Sequence, residues 1–174
     1  VVQTGTSSRG EPINAVVTVT NGANVTIKNV TVDGDGRANT IDGGGSADYA
    51  GVFYRNASGG LEDVAITGVR DLYAGGTTVD GFDLVSGMQR GVGLWVDNDG
   101  GEAFSMDGGS IADFQKNAAL LLGADLDITG VTITGGGAQT INAQNGIQVS
   151  NSTGSISGNT ITGIGYAGTS DVYS

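Results

Sequence analysis

Apolar and polar positions alternate along most of this chain, but only in short runs before a small residue interrupts them. The segment LDITGVTITGGG, residues 126–137, shows the unit: one alternation, a break at Gly130, a second alternation, then glycines. An apolar residue followed at the third and fifth positions by apolar or small residues recurs at Ile27-Val30-Val32, Leu61-Val64-Ile66, Met106-Gly109-Ile111, Ile128-Val131-Ile133 and Ile156-Asn159-Ile161. A period of two predicts strands whose alternate side chains share one face. The residue before each middle member is Asn29, Asp63, Gly108, Gly130 and Gly158. Those residue types enter the left-handed backbone region most readily. A single left-handed residue turns the chain through a sharp corner without a loop. Each unit is therefore expected to be two short strands meeting at a corner, with Val and Ile turned inward.

A further alternating run accompanies each unit. Gly51-Val52-Phe53-Tyr54, Gly91-Val92-Gly93-Leu94, Ala118-Ala119-Leu120-Leu121 and Gly146-Ile147-Gln148-Val149 align as one more strand per repeat. The later repeats are 27 and 28 residues long, counted from Val92 to Ala119 to Ile147, and insertions at 33–50 and 71–89 lengthen the earlier ones. Three short strands per repeat is the economy of a parallel solenoid, in which each strand bonds to its equivalent about 4.8 Å away. The expected fold is thus all-β, a parallel solenoid of about five coils filling residues 1–174 as one domain. In the first strand of each repeat, Val52/Tyr54, Val92/Leu94, Ala119/Leu121 and Ile147/Val149 are expected to face inward. Phe53, Arg55, Gly93, Trp95, Leu120, Leu122, Gln148 and Ser150 are expected to face outward.

The corner row, together with the segments DFQKNAALLL, AQNGIQV and GNTITGIG, resembles the right-handed parallel β-helix of the pectate-lyase-like superfamily, as found in bacterial extracellular repeat proteins. The resemblance covers nearly the whole chain. It implies right-handed winding, in line with the general preference of parallel crossovers, and it implies polysaccharide lyases, epimerases or hydrolases as candidate activities. An antiparallel sandwich also has many short strands, but it has no reason to repeat a left-handed corner in register.

Composition narrows the chemistry. There are 33 glycines, one proline, no cysteine and no histidine among 174 residues. The chain therefore lacks disulfides, thiolate chemistry and the commonest general base. The formal charge of −11 argues against nucleic acid, which needs a basic surface. No run approaches the roughly 20 apolar residues of a membrane span. Acidic, cysteine-free chains rich in Gly, Asn and Thr fit an extracellular or bacterial cell-surface location.

Candidate sites lie on the outer face, because such a fold is filled with side chains. Phe53, Trp95, Leu120 and Leu122 would form an apolar strip, flanked by Arg55, Arg90 and Lys116, that stacks on sugar rings or receives a partner protein. The alternative is that the insertions at 33–50 and 71–89 fold over it. Asp33, Asp35, Asp42, Asp48, Asp71, Asp80 and Asp83 would make these insertions acidic. Calcium is the natural ion for such oxygens, with Asp33, Asp35, Asp97 and Asp99 as candidate ligands, yet DGDGR and DNDGGE match no complete calcium loop. Solvated acidic loops are the other reading. A catalytic reading would use Arg55, Arg90 or Lys116 with Asp97 and Asp99, or Asp97 paired with Asp80 or Asp83, but no family catalytic motif is present. Threonine pairs at Thr132/Thr134 and Thr160/Thr162 suggest an ice-binding array, which the Asp33, Ala65 and Ala112 positions do not sustain.

Neither terminus reads as an amphipathic cap helix. The chain is accordingly expected to be a section of a larger protein, or to associate end to end or laterally. The function expected from sequence is a non-catalytic structural, adhesive or glycan- or protein-binding module; the polysaccharide-acting enzyme is the alternative. The Asn-x-Ser/Thr sites at Asn24, Asn29, Asn56 and Asn151 decide nothing without a known host.

Overall fold

The structure is a computed structural model, and it describes residues 5–36, 48–70, 91–139 and 143–167. A two-residue strand, β1 (Gly5–Thr6), precedes five successive triplets of strands. The triplets are β2 (Pro12–Thr20), β3 (Val25–Lys28) and β4 (Thr31–Asp33), then β5 (Asp48–Arg55), β6 (Gly59–Glu62) and β7 (Ala65–Thr67). They continue with β8 (Val92–Asp97), β9 (Ala103–Asp107) and β10 (Ser110–Ala112), then β11 (Asn117–Leu122), β12 (Asp125–Thr129) and β13 (Thr132–Gln139). The last triplet is β14 (Asn145–Ser150), β15 (Thr153–Ser157) and β16 (Thr160–Tyr166). The protein is all-β. Each triplet gives one strand to each of three sheets, ordered β1-β2-β5-β8-β11-β14, β3-β6-β9-β12-β15 and β4-β7-β10-β13-β16. Among the described residues every pairing between triplets is parallel, and only β1 runs antiparallel, against β2.

The register aligns like with like. Ile27, Leu61, Met106, Ile128 and Ile156 are successive partners in the second sheet. Val32, Ile66, Ile111, Ile133 and Ile161 are successive partners in the third. Through the fourth triplet these rows, with Tyr54, Val96 and Leu121 of the first sheet, form one buried core against which Ile27 packs; Ile156 and Ile161 of the last triplet are exposed. The three-residue strands β7 and β10 persist because both backbone edges are satisfied by neighbouring triplets, which removes the cost of an unpaired edge. Tyr54 packs edge-on against Phe104, with centroids 4.9 Å apart, and its hydroxyl donates to the Val25 and Gly60 carbonyls at 2.8 and 3.1 Å.

The corners explain how strands so short can change sheets. Asn29, Asp63, Gly108, Gly130 and Gly158, between the second and third sheets, have φ of 55°, 49°, 66°, 68° and 66°. Their amides continue the ladder through the corner: Asn29 N bonds Glu62 O, Asp63 N bonds Asp107 O and Gly108 N bonds Thr129 O, at 3.0, 2.9 and 2.9 Å. A second corner row, between the first and second sheets, holds Asn21, Asn56, Gly123 and Asn151 at φ of 52°, 48°, 64° and 51°. Asn98 occupies the equivalent place in the β8–β9 connection without a positive φ. Its buried side chain instead accepts from Ala57 N at 3.1 Å and donates to Ala57 O at 3.2 Å. Asn159 breaks the apolar row of the other corner for a similar reason. It accepts from Val131 N at 2.8 Å and donates to Ile128 O at 3.0 Å.

The first sheet departs from simple alternation. Val92 does not face the main core; it joins a separate cluster with Ile13, Ala50, Phe53 and Trp95 on the opposite face. Gly93, expected outside, lies against the core, where a Cβ would come within 2.6 Å of Ile111 Cγ2. Gly51 is placed in the same way against Ile66 Cγ2. Two consecutive residues face inward at this point, Gly51-Val52, Gly93-Leu94 and Ala118-Ala119, and the first must be small. The register follows suit. Val52 pairs with Leu94 and Tyr54 with Val96, which moves the expected alignment of this strand by two residues.

Candidate functional site

The outward row at the end of the first sheet runs Thr20, Arg55, Asp97, Leu122 and Ser150. Parallel pairing sets Arg55 directly beside Asp97, and the turn after β8 brings Asp99 back to the same guanidinium. Arg55 Nη2 donates to Asp99 Oδ2 at 2.7 Å. Its Nη1 donates to the Asp97 carbonyl at 2.9 Å and to Asn56 Oδ1 at 2.5 Å. Asn56 Oδ1 also accepts from Asp99 N at 3.1 Å, so the corner residue fixes both partners. The bond from Arg55 holds the exposed Asp99 carboxyl below the ordinary carboxylate range, and the Asp99 bond raises Arg55 in return.

Asp97 is the unusual member. Its side chain is only 1% exposed. Oδ2 accepts from Ser8 N at 2.8 Å, which docks the N-terminal turn onto the sheet. Oδ1 is buried and has no hydrogen-bond partner; the nearest cation, Arg55 Nη1, stands 3.9 Å away. A buried carboxylate oxygen without a donor is costly and marks a position where a donor is wanted. Beside it opens a cleft of about 340 Å³ lined by Ser8, Arg9, Asp97, Asn98, Asp99, Leu122, Ala124, Ser150, Asn151 and Thr153, among others. Hydroxyl, amide, carboxylate and guanidinium side chains line it together with Leu122 and Ala124.

The apolar strip is not an open platform. Phe53 and Trp95 stand in one row with Leu120, but they are 0% and 3% exposed. They meet edge to face, with centroids 5.9 Å apart, inside the separate apolar cluster. Gly5 of β1 lies over Phe53; a Cβ there would come within 2.8 Å of the ring. Leu122 belongs to the next row, with Arg55 and Asp97, and is half-buried beside the cleft. Of the residues expected to bind ligand, Leu122 lines the cleft, Arg55 pairs with Asp99 beside it without lining it, Leu120 is half-buried, and the Phe53 and Trp95 rings do not face solvent.

Lys116 is not brought to this site. It precedes β11, six positions before Leu122, a distance of about 20 Å along a strand. Its buried amine donates to Ala143 O at 2.6 Å, and burial lowers its pKa. Asp33 and Asp35 lie elsewhere, at the end of β4 and just after it, where Asp33 Oδ1 accepts from Asp35 N at 2.8 Å. Among the described residues, no group of three or more carboxylates is arranged to hold a metal ion. Arg90, Asp42, Asp71, Asp80 and Asp83, and most of both insertions, lie outside the described residues. No described helix is long and apolar enough to cross a membrane. Sequence reasoning missed Ser8, Arg9 and Asn151 as neighbours of this cleft; the Asn and Gly residues that directly follow each first-sheet strand were the available signal.

No family model matches this sequence, and neither the curated proteins nor the solved structures hold a match to it.

Proposed function

We propose that the three sheets wind as a right-handed parallel β-helix of five coils, related to the pectate-lyase-like superfamily. We propose further that it is a non-catalytic module of a secreted or bacterial cell-surface protein, holding a polyhydroxylated ligand, a glycan, in the cleft beside Asp97. The cyclic order of strands among the sheets and the recurring left-handed corners support the winding. The observation that carries the binding reading is the polar cleft that Asp97 lines, together with that residue's buried, unpartnered Oδ1. A sugar hydroxyl supplies the missing donor once the carboxyl turns into the cleft. Exposed Arg9 offers a bidentate donor in the same cleft, and half-buried Leu122 suits the apolar face of a sugar ring.

The charged groups favour binding over catalysis. Arg55 already holds Asp99, Asn56 and the Asp97 carbonyl, and Lys116 lies remote and buried. The test is calorimetric titration with a panel of neutral and acidic oligosaccharides. Binding to at least one of them is expected, weakened on the order of tenfold to a hundredfold by Asp97→Asn, as loss of a hydrogen bond to a charged group implies. Absence of binding across the panel, or equal binding by Asp97→Asn, overturns the reading. New ultraviolet absorbance from unsaturated sugar ends would establish a lyase instead.

A further inference from the structure

Ser8 and Arg9 line the cleft beside Asp97 from one side, and Leu122, Ser150 and Thr153 line it from the sheets. The first pair belongs to the turn Ser7–Glu11 between β1 and β2, whose hydrogen bonds close on the turn itself. Ser7 N donates to Glu11 O at 2.9 Å, and Gly10 N to Ser7 O at 3.0 Å. Ser7 Oγ accepts from Glu11 N at 3.1 Å and from Arg9 N at 3.3 Å. Gly10 supplies the left-handed φ of 82° that the loop needs. A turn satisfied internally keeps its shape whether or not it touches the sheets.

Among the described residues, one hydrogen bond ties this turn to the sheets: Ser8 N to Asp97 Oδ2, 2.8 Å long. The turn consists of Ser, Arg, Gly and Glu, so it brings no apolar side chain to either cluster. Ser8, Arg9, Gly10 and Glu11 are exposed, and Ser7 is buried. β1 adds two residues of pairing, Gly5 with Ile13 and Thr6 with Pro12. A segment without buried apolar contacts, held by a single anchoring bond, opens locally at low free energy.

We infer that the turn Ser7–Glu11 is a movable wall of the cleft, latched by the Ser8 amide on Asp97, and that cleft occupancy and docking of the turn stabilise each other. The latch and the ligand share one side chain. An ionised carboxylate has about four acceptor sites; the Ser8 amide takes one, and Oδ1 has no donor. A ligand that touches Ser8 or Arg9 as well as Leu122 or Thr153 binds the docked form better, and that difference in affinity shifts the turn towards docking. By the same linkage, loosening the turn weakens binding in proportion to the docked fraction. The latch stands on the geometry of the free chain; the coupling rests on the glycan reading of the cleft.

Hydrogen exchange of the full chain, read residue by residue, tests the latch. The Ser8 amide is expected to exchange slowly although its residue is exposed. In Asp97→Ala it is expected to speed up on the order of tenfold to a hundredfold, as loss of a hydrogen bond to a charged group implies, and tryptic cleavage after Arg9 is expected to quicken with it. The amides of Glu11, inside the turn, and Tyr54, in the core, are expected to keep their rates, which separates a lost latch from a lost fold. Ser7→Ala loosens the turn without altering a residue that lines the cleft. It is expected to speed Ser8 exchange and to weaken the tightest-binding oligosaccharide of the titration panel by about tenfold. Saturating the unmodified chain with that oligosaccharide is expected to slow Ser8 exchange further. A Ser8 amide that exchanges freely in the unmodified chain, or no faster in Asp97→Ala, overturns the latch. Ser8 exchange indifferent to saturation, or full affinity in Ser7→Ala, overturns the coupling and leaves the glycan reading in place. A panel without any binder removes the coupling together with that reading, and exchange in the free chain still decides the latch.

Discussion

Gly130 and Gly123 occupy corresponding places in the two corner rows, and replacing each with alanine separates two reasons for a glycine. Their φ values are nearly the same, 68° and 64°. A Cβ on Gly130 would find no atom closer than Gly108 N at 3.6 Å, whereas a Cβ on Gly123 would fall 1.8 Å from the Asn98 carbonyl oxygen. Gly130→Ala therefore carries only the penalty of an L residue in the left-handed region, about 1–2 kcal/mol. Gly123→Ala carries the same penalty plus overpacking against backbone that cannot rotate away, about 1–3 kcal/mol. It also strains the 2.9 Å bond from Asn98 N to Leu122 O and the 3.0 Å bond from Gly123 N to Ser150 O. The expected total for Gly123→Ala is roughly 2–5 kcal/mol. Urea unfolding followed by circular dichroism reads both, with the midpoints moving and the slope unchanged. Gly130→Asn is the control. It is expected to cost less than Gly130→Ala, since Asn29 already fills that row at φ 55°. Equal losses for the two alanine variants would refute the reasoning, because close stacking of successive corners is what distinguishes them.

Three further outcomes follow from the same geometry. Asn159→Ala removes the partners of Val131 N and Ile128 O and is expected to cost about 1–3 kcal/mol in the same unfolding assay. The Tyr49 and Tyr54 hydroxyls are pushed up to about 12, chiefly by burial. The folded state thus holds these protons more tightly than the unfolded chain, whose tyrosines ionise near 10; stability is intact below about pH 10 and declines from there through pH 12, as thermal melts across that range should show. The Asp99 carboxyl, depressed by its bond from Arg55, contributes stability above its unfolded value that is lost as pH falls through the folded one; in Arg55→Gln its carbon-detected titration midpoint should rise toward the ordinary carboxylate value.

The corner between the second and third sheets was legible because five small or Asx residues stand at one offset from an apolar pair, and only a repeated backbone demand explains that. The equivalent corner after the first sheet was less so. Its Asn21, Asn56, Asn98, Gly123 and Asn151 follow strands of unequal length, which blurs the offset. The first-sheet register slipped at Gly91-Val92-Gly93 because alternation alone does not reveal that Gly51, Gly93 and Ala118 allow two adjacent residues to face the core. Alternation also tells which face a side chain takes but not what covers that face. Phe53 and Trp95 accordingly read as a surface strip, whereas they lie in a covered cluster beneath the N-terminal segment. The cleft beside Asp97 depends on Ser8 docking across 89 sequence positions, a contact that no local pattern encodes.

The most direct test of the central claim, one strand per sheet from each successive triplet, is a set of distances within a single row. Thr26, Gly60, Ser105, Asp127 and Ser155 are successive partners in the second sheet. The chain has no cysteine, so spin labels placed in pairs report only the chosen sites. Backbone separations of about 14 Å for Thr26 with Asp127 and about 19 Å for Thr26 with Ser155 are expected, one strand spacing per triplet. Pulsed electron resonance should show the second pair longer than the first by that single spacing, with narrow distributions for both. Separations that do not grow by one spacing, or that are broad, would contradict the stacked arrangement and with it the proposed cleft.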